Sequence, residues 1–198
     1  YFFTYQLNYM YWRYFLWNFV GRQNDIQGHG EPEHGNWITG IPLLDNLRLG
    51  DQQLLPESLR QNKGHNVFYA LPLLLGLVGI YWQWMRGKKG MQQFSVVFFF
   101  FFMTGLAIVL YLNQTPGSFY AFAIWIGMGA AGLCDALRKK KSSVLHVGLL
   151  MFLCLLIPVQ MASQTWDDHD RSNRFTCRDF GANYLMTLPD KGNPIIFS

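Results

Sequence analysis

Charge is scarce in this 198-residue chain: 14% of its residues are Asp, Glu, Lys or Arg, against 51% hydrophobic and 17% aromatic. The stretch Phe94–Leu112 has no charged residue over nineteen positions. A helix of that length covers roughly 28 Å, close to the hydrocarbon thickness of a bilayer. One apolar helix could be buried in a soluble domain, but three more segments of similar character leave too little polar surface to coat a globule. A soluble fold is excluded on that ground. Cysteine is scarce too. Cys134, Cys154 and Cys177 show no CxxC spacing, and three unpaired thiols is the simplest reading. The span centres lack ionisable residues, which argues against a transporter. The basic residues form short clusters beside apolar spans, not one long patch, so no nucleic-acid partner is expected. The N-terminus lacks the parts of a signal peptide. Tyr1 in place of an initiator Met, and an ending within the strand-like Pro194-Ile-Ile-Phe-Ser198, predict an interior piece of a longer protein.

What is present predicts an all-α membrane protein. The expected spans are residues 67–85, 94–112, 119–137 and 144–162. The first carries Pro72 and closes on Tyr81, Trp82 and Trp84, an aromatic belt. The third holds Gly127, Gly129, Ala130, Ala131 and Gly132, small residues that let another helix approach closely. Pro158 in the fourth is tolerable because neighbours can satisfy the freed carbonyl. The outer connections, Arg86-Gly-Lys-Lys and Arg138-Lys-Lys-Lys141, contain seven basic residues, and the middle one, 113–118, contains no charge. Short loops rich in Lys and Arg stay cytoplasmic, so 86–93 and 138–143 are expected inside, with 21–66, 113–118 and everything after Ala162 outside.

Residues 1–20 read as an amphipathic helix at the headgroup level, with Phe2, Tyr5, Tyr9, Trp12, Leu16 and Phe19 on one face. The end of a further spanning helix is the alternative. Residues 21–66 form a polar, turn-rich extracytoplasmic loop. Trp37, Ile38, Ile41, Leu43, Leu44, Leu54 and Leu55 suggest short helices folded back on the membrane face. From Ser163 a polar junction leads to an amphipathic helix with a stripe of Phe175, Phe180, Tyr184, Leu185 and Leu188. This is the expected entrance to a truncated soluble α/β-type domain spanning 163–198.

Two polar clusters share the expected outer face. The first is Arg22-Gln23-Asn24-Asp25 with His29, Glu31, Glu33 and His34. The second is Asp167-Asp168-His169-Asp170-Arg171 with Arg174. A carboxylate at a membrane surface can act as a general base toward a hydroxyl, and Arg forks bind phosphate. His29, His34, Asp168 and His169 could ligate a divalent metal, but their spacing is irregular, and no metal is expected. Asp167–Arg171 could equally be a solvated elbow capping the next helix through Asp or Ser. Arg13 could snorkel to headgroups or hold a lipid phosphate. For Asp135 and His146, near span ends, a structural role is expected.

The segments Met10-Tyr-Trp-Arg-Tyr-Phe-Leu-Trp-Asn-Phe-Val-Gly-Arg-Gln-Asn-Asp25, Tyr111-Leu-Asn-Gln-Thr-Pro-Gly-Ser-Phe-Tyr-Ala-Phe-Ala-Ile-Trp-Ile-Gly127 and Asp167-Asp-His-Asp-Arg-Ser-Asn-Arg174 resemble a family of large bacterial polytopic membrane proteins, formerly a domain of unknown function. That family is related to the transmembrane protein O-mannosyltransferases of the GT-C fold, and the resemblance covers essentially the whole chain. It implies a glycosyltransferase of the bacterial cytoplasmic membrane. Such an enzyme transfers a sugar such as mannose from a polyprenyl-phosphate donor to an extracytoplasmic protein or glycan acceptor. No cofactor is implied. The family's main catalytic acid lies in an earlier loop, so this chain is expected to lack it. Arg13 and Arg22 become candidates for the donor phosphate, with Gln23, Asn24, His169 and Arg171 beside them. Asp25 and Asp168 become candidates for assisting the acceptor hydroxyl. Family members usually carry an Arg-rich segment where Pro116 here runs directly into Gly117. A non-enzymatic membrane scaffold or export component is the rival reading.

Overall fold

The computed structural model describes residues 1–111, 117–170, 172 and 175–187. The chain forms two compact units, Tyr1–Thr165 and Trp166–Ser198. Among the described residues three helices are long and apolar enough to cross a membrane, which identifies an all-α membrane protein. They are α5 (Gly87–Tyr111), α6 (Gly117–Lys139) and α7 (Val144–His169). The expected first span is the shorter α4 (Leu71–Trp84), 14 residues long, or about 21 Å. It starts four residues later than expected because Asn66–Val67 is drawn into a strand and Tyr69 and Ala70 both take positive φ. Pro72 follows in the first turn, where its missing N–H costs no hydrogen bond.

Span ends also differ from the sequence reading. Gly87, at φ +73°, allows the chain to reverse immediately after Arg86, so Lys88 and Lys89 lie in the first turn of α5 and not in a loop. Helix α7 continues seven residues past Ala162, through the expected polar junction. Once a backbone ladder is established, polar residues such as Gln160, Gln164 and Thr165 extend it without strain.

Within the first unit, α4 and α6 run parallel in close contact. A Cβ on Gly79 would lie 1.8 Å from the Trp125 carbonyl oxygen, one on Gly129 1.9 Å from the Leu75 carbonyl oxygen, and one on Gly76 2.4 Å from the Phe122 ring. The small-residue stripe on α6 is thus partly confirmed. Gly129 and Gly132 meet α4, whereas Gly127 faces open space. The partner glycines on α4 had no counterpart in the sequence reading. Helix α5 runs antiparallel to both: Phe94 packs on Trp84, Phe101 on Trp125, and Thr104 beside Gly117. The order α4 up, α5 down, α6 up follows from short connections.

Residues Phe2–Trp12 are π-helical, with i→i+5 bonds such as Gln6 N to Tyr1 O, and continue as α1 (Arg13–Phe19). The buried face is Tyr11, Phe15 and Phe19; of the expected face Phe2, Tyr5, Tyr9, Trp12, Leu16 and Phe19, only Phe19 is fully buried, with Leu16 packed partly buried beside it. Phe15 and Phe19 join Phe122 and Trp125 in the aromatic core. The wider π turns shift the phase of the side chains, and the Tyr9 face is taken by the loop, as described below.

The loop contains β1 (Gly21–Arg22), α2 (Pro42–Leu49), a 3₁₀ turn (Gln52–Leu54), α3 (Glu57–Arg60) and β2 (Asn66–Val67). Strands β1 and β2 pair antiparallel, Gly21 with Val67. The short helices match expectation, and Ile38 is buried. Leu43, Leu44, Leu47 and Leu54 are exposed.

In the second unit, α8 (Thr176–Met186) begins at Phe175 without a side-chain cap, so neither Asp nor Ser caps it as expected. Asp170 instead accepts from the Ser172 backbone N–H. Phe175, Phe180, Tyr184 and Leu185 are exposed, not a buried stripe. Leu188 and the expected terminal strand lie outside the described residues.

Candidate functional site

The loop is positioned by one face of the first helix. Arg13 and Trp17, one turn apart, both donate to the Gly35 carbonyl, at 2.8 and 3.1 Å. Tyr9, one turn earlier, donates to the Gly28 carbonyl. The Arg13 guanidinium lies 4.0 Å from the Tyr9 ring centroid and 4.4 Å from that of Trp17. Burial lowers the Arg13 pKa, and the two ring faces replace part of the lost hydration. Gly35 takes φ +57°, and a Cβ there would meet the Ile26 carbonyl at 2.6 Å. Only glycine suits both demands.

Gln23 and Asn24 are 2% and 0% exposed. Asn24 accepts from Gly35 N at 2.8 Å and donates to the Glu33 carbonyl at 2.8 Å. Gln23 donates to the Pro32 carbonyl at 2.9 Å and to Gln52 Oε1 at 2.6 Å, while its own Oε1 accepts from Asn36. Both amides therefore hold the loop together and face no solvent. Arg22 donates to the Gly64 carbonyl at 2.7 Å. Asp45, also buried, accepts from Thr39 N, Thr39 Oγ1 and Gly40 N. A buried carboxylate with three donors is satisfied.

The structure brings Arg13, Arg22, Gln23, Asn24 and Asp25 into one loop scaffold. Asp25 is exposed on the Asn62–Gly64 turn, its N–H 3.4 Å from Asn62 Oδ1. The side chains of Asp168 and His169, and Arg171 entirely, lie outside the described residues. Among the described residues no group of three His, Cys, Asp or Glu side chains could hold a metal. Glu31 binds its own and the His29 backbone N–H, which hold its carboxyl below the ordinary range. The thiols are free. Asp135 accepts from Trp82 Nε1 at 3.4 Å and pairs with Lys139 at 3.8 Å, and His146 meets Ser143 Oγ at 2.7 Å. Both make the local structural contacts expected of them.

A cleft of about 200 Å³ opens in this loop, lined among others by Asp51, Gln52, Gln53, Arg60, His65 and Tyr69. Gln23 and Val67 also line it. His65 Nδ1 lies 2.9 Å from the Gln23 carbonyl oxygen. A carbonyl can only accept, so Nδ1 carries a proton and donates it to Gln23, which fixes the orientation of the ring in the cleft. Sequence reasoning missed this group. His65 and Arg60 are single polar residues in a polar loop, and only the β1–β2 pairing brings them to Gln23. The far end of α7 braces the same strand. Gln160 donates to the Val67 carbonyl at 3.2 Å, and Val67 N donates to Gln164 at 2.7 Å. The cleft presents amide, carboxylate, guanidinium, imidazole and phenol groups to a small polar ligand. No family model, no curated protein and no solved structure matches the chain.

Proposed function

We propose that this chain is the membrane segment of a GT-C-like glycosyltransferase that takes its sugar from a polyprenyl-phosphate donor. The loop cleft holds a sugar unit of the protein or glycan acceptor. The observation that carries the reading is the cleft itself: amides, the Asp51 carboxylate, one Arg and one Tyr around the His65 imidazole, beside a strand held by Gln160 and Gln164 of α7. The family resemblance through Met10–Asp25 supports it, because those residues build the helix and strand on which the cleft depends. In this reading His65 or Asp25 assists the acceptor hydroxyl as base, and Arg22 and Arg13 position the loop near the donor phosphate. Asp168, His169 and Arg171 remain candidates from the resemblance alone.

The topology belongs to the same proposal. Helix α4 crosses as a short fourth span, with loop 21–66 and the α7 end outside and both basic connections inside the bacterial cytoplasmic membrane. The parallel α4 and α6 with antiparallel α5 support that alternation. So do the exposed leucines of α2, which suit a helix resting on headgroups.

The test is sugar transfer from a polyprenyl-phosphate sugar by membranes containing the full-length protein, with His65→Ala and Asp25→Asn compared singly. A fall of about 10²-fold in either, at unchanged protein level, is expected for loss of a general base. Full turnover in both variants favours the rival, a scaffold or export component without chemistry in this loop.

A further inference from the structure

A second cavity lies at the opposite, lysine-bearing end of the bundle. It is an open groove of about 730 Å³ between α5 and α6, capped by the end of α4. Its wall is apolar, with Val96, Val97, Ile124 and Met128, and its floor is Gly127, where a Cβ would meet nothing within 4 Å. Its head is polar: Gln83, Arg86 and Gln93. Groove and head together have the length-wise division of an amphiphile, apolar along the span and cationic at the membrane boundary.

Four observations select the charge of the occupant. No acidic residue lines the groove. Arg86 lies over the Trp82 ring, 4.5 Å from its centroid, which orients the guanidinium at the groove head. Lys88 and Lys89 follow in the first turn of α5, exposed. The neighbouring acid, Asp135, is engaged by Lys139 and Trp82. The region therefore presents a cationic head to whatever enters from the bilayer.

Gln83 adds an independent sign. It is 1% exposed, and its Oε1 accepts from Trp125 Nε1 at 2.8 Å, but Nε2 has no hydrogen-bond partner. A buried amide N–H₂ without an acceptor is costly, and each such group calls for an explanation. Gln83 also lines the groove head, where a phosphate or ester oxygen would offer such an acceptor.

We propose that this groove seats one anionic phospholipid, its acyl chain along α5 and α6 over Gly127 and its phosphate at Arg86 and Gln83. The lipid then fastens α4, the shortest of the apolar helices, to α5 and α6 at their basic end. This site is separate from the loop cleft and does not depend on the glycosyltransferase reading.

The full-length protein in detergent is tested by native mass spectrometry after titration with phosphatidylglycerol or phosphatidylcholine. One retained phosphatidylglycerol per chain is expected, preferred over phosphatidylcholine by about tenfold: both carry the phosphodiester, but only phosphatidylcholine adds a trimethylammonium that Arg86, Lys88 and Lys89 repel, at about 1 kcal/mol per basic residue. Arg86→Glu should abolish the preference, and Gly127→Leu should remove the bound lipid by filling the floor. Gln83→Glu, which keeps the acceptor for Trp125 while removing the donor, should lower retention severalfold. Lys140→Glu, in the other basic connection, should change neither quantity. Equal retention of the two lipids overturns the proposal, as does a lipid that survives Gly127→Leu, an equal effect of Lys140→Glu, or a dimer mass in place of a lipid adduct. A shared melting temperature for Gly127→Leu and the parent shows that loss of lipid is not loss of fold.

Discussion

Replacing Gly79 with Ala adds one methyl group where α4 and α6 touch backbone to backbone. The new carbon would lie 1.8 Å from the Trp125 carbonyl oxygen and 2.7 Å from Gly129 N. Ordinary contact with a carbon needs roughly 3.4 Å or more, so the helices must part by about 1.5 Å. Neither neighbour is a side chain that can rotate away. Separation loosens the Phe122 and Trp125 core and stretches the Trp125–Gln83 hydrogen bond. Overpacking of this kind costs about 1–3 kcal/mol, and the backbone contact places Gly79→Ala at the upper end. Gly129→Ala, 1.9 Å from the Leu75 carbonyl, should cost as much. Gly127→Ala is the control: it meets nothing, and removing a helical glycine should leave stability unchanged or raise it by about 1 kcal/mol. Thermal unfolding in a mild detergent, followed by tryptophan fluorescence, reads all three. If Gly79→Ala and Gly127→Ala melt together with the parent, the α4–α6 contact is not as close as described.

Asn24→Asp keeps shape but removes the donor to the Glu33 carbonyl and buries a charge. Loss of about 2–4 kcal/mol in loop stability is expected, seen as rapid limited proteolysis within 21–66. Arg13→Lys loses the planar stack between Tyr9 and Trp17 and should weaken the same loop by about 1–2 kcal/mol in the same assay. Because backbone N–H groups depress the Glu31 carboxyl in the folded loop, its contribution is present above the unfolded pKa and fades as pH falls through the folded one. Protease sensitivity of the Gly28–Gly35 turn should therefore rise on acidification, and Glu31→Gln should flatten that dependence.

Much of the bundle is legible because a membrane span is specified by length and apolarity alone, as α5 and α7 show. Span ends were less so. Lys88 and Lys89 looked like a loop, yet a helix can carry them where long stems reach water. The close helix contact was half legible: a glycine run on α6 stands out, whereas Gly76 and Gly79 on α4 are two separate residues among leucines. A 3.6-residue period places Phe19 on the buried face but not Tyr11 and Phe15, because Phe2–Trp12 is π-helical. Gln23 and Asn24 were recognised as important, but a sequence does not distinguish an amide that binds substrate from one that ties a loop. The cleft was invisible, since Asp51, Arg60 and His65 converge only after residues 21 and 67 pair.

The central claim is that these helices thread a bilayer with both basic connections on one side and the 21–66 loop on the other. In a background lacking Cys134, Cys154 and Cys177, Ser58→Cys and Ser142→Cys each offer one thiol to a membrane-impermeant maleimide added to intact cells or spheroplasts. The account predicts that Ser58→Cys labels at once and Ser142→Cys labels only after the membrane is opened. Labelling of both from outside, or the reverse order, contradicts it.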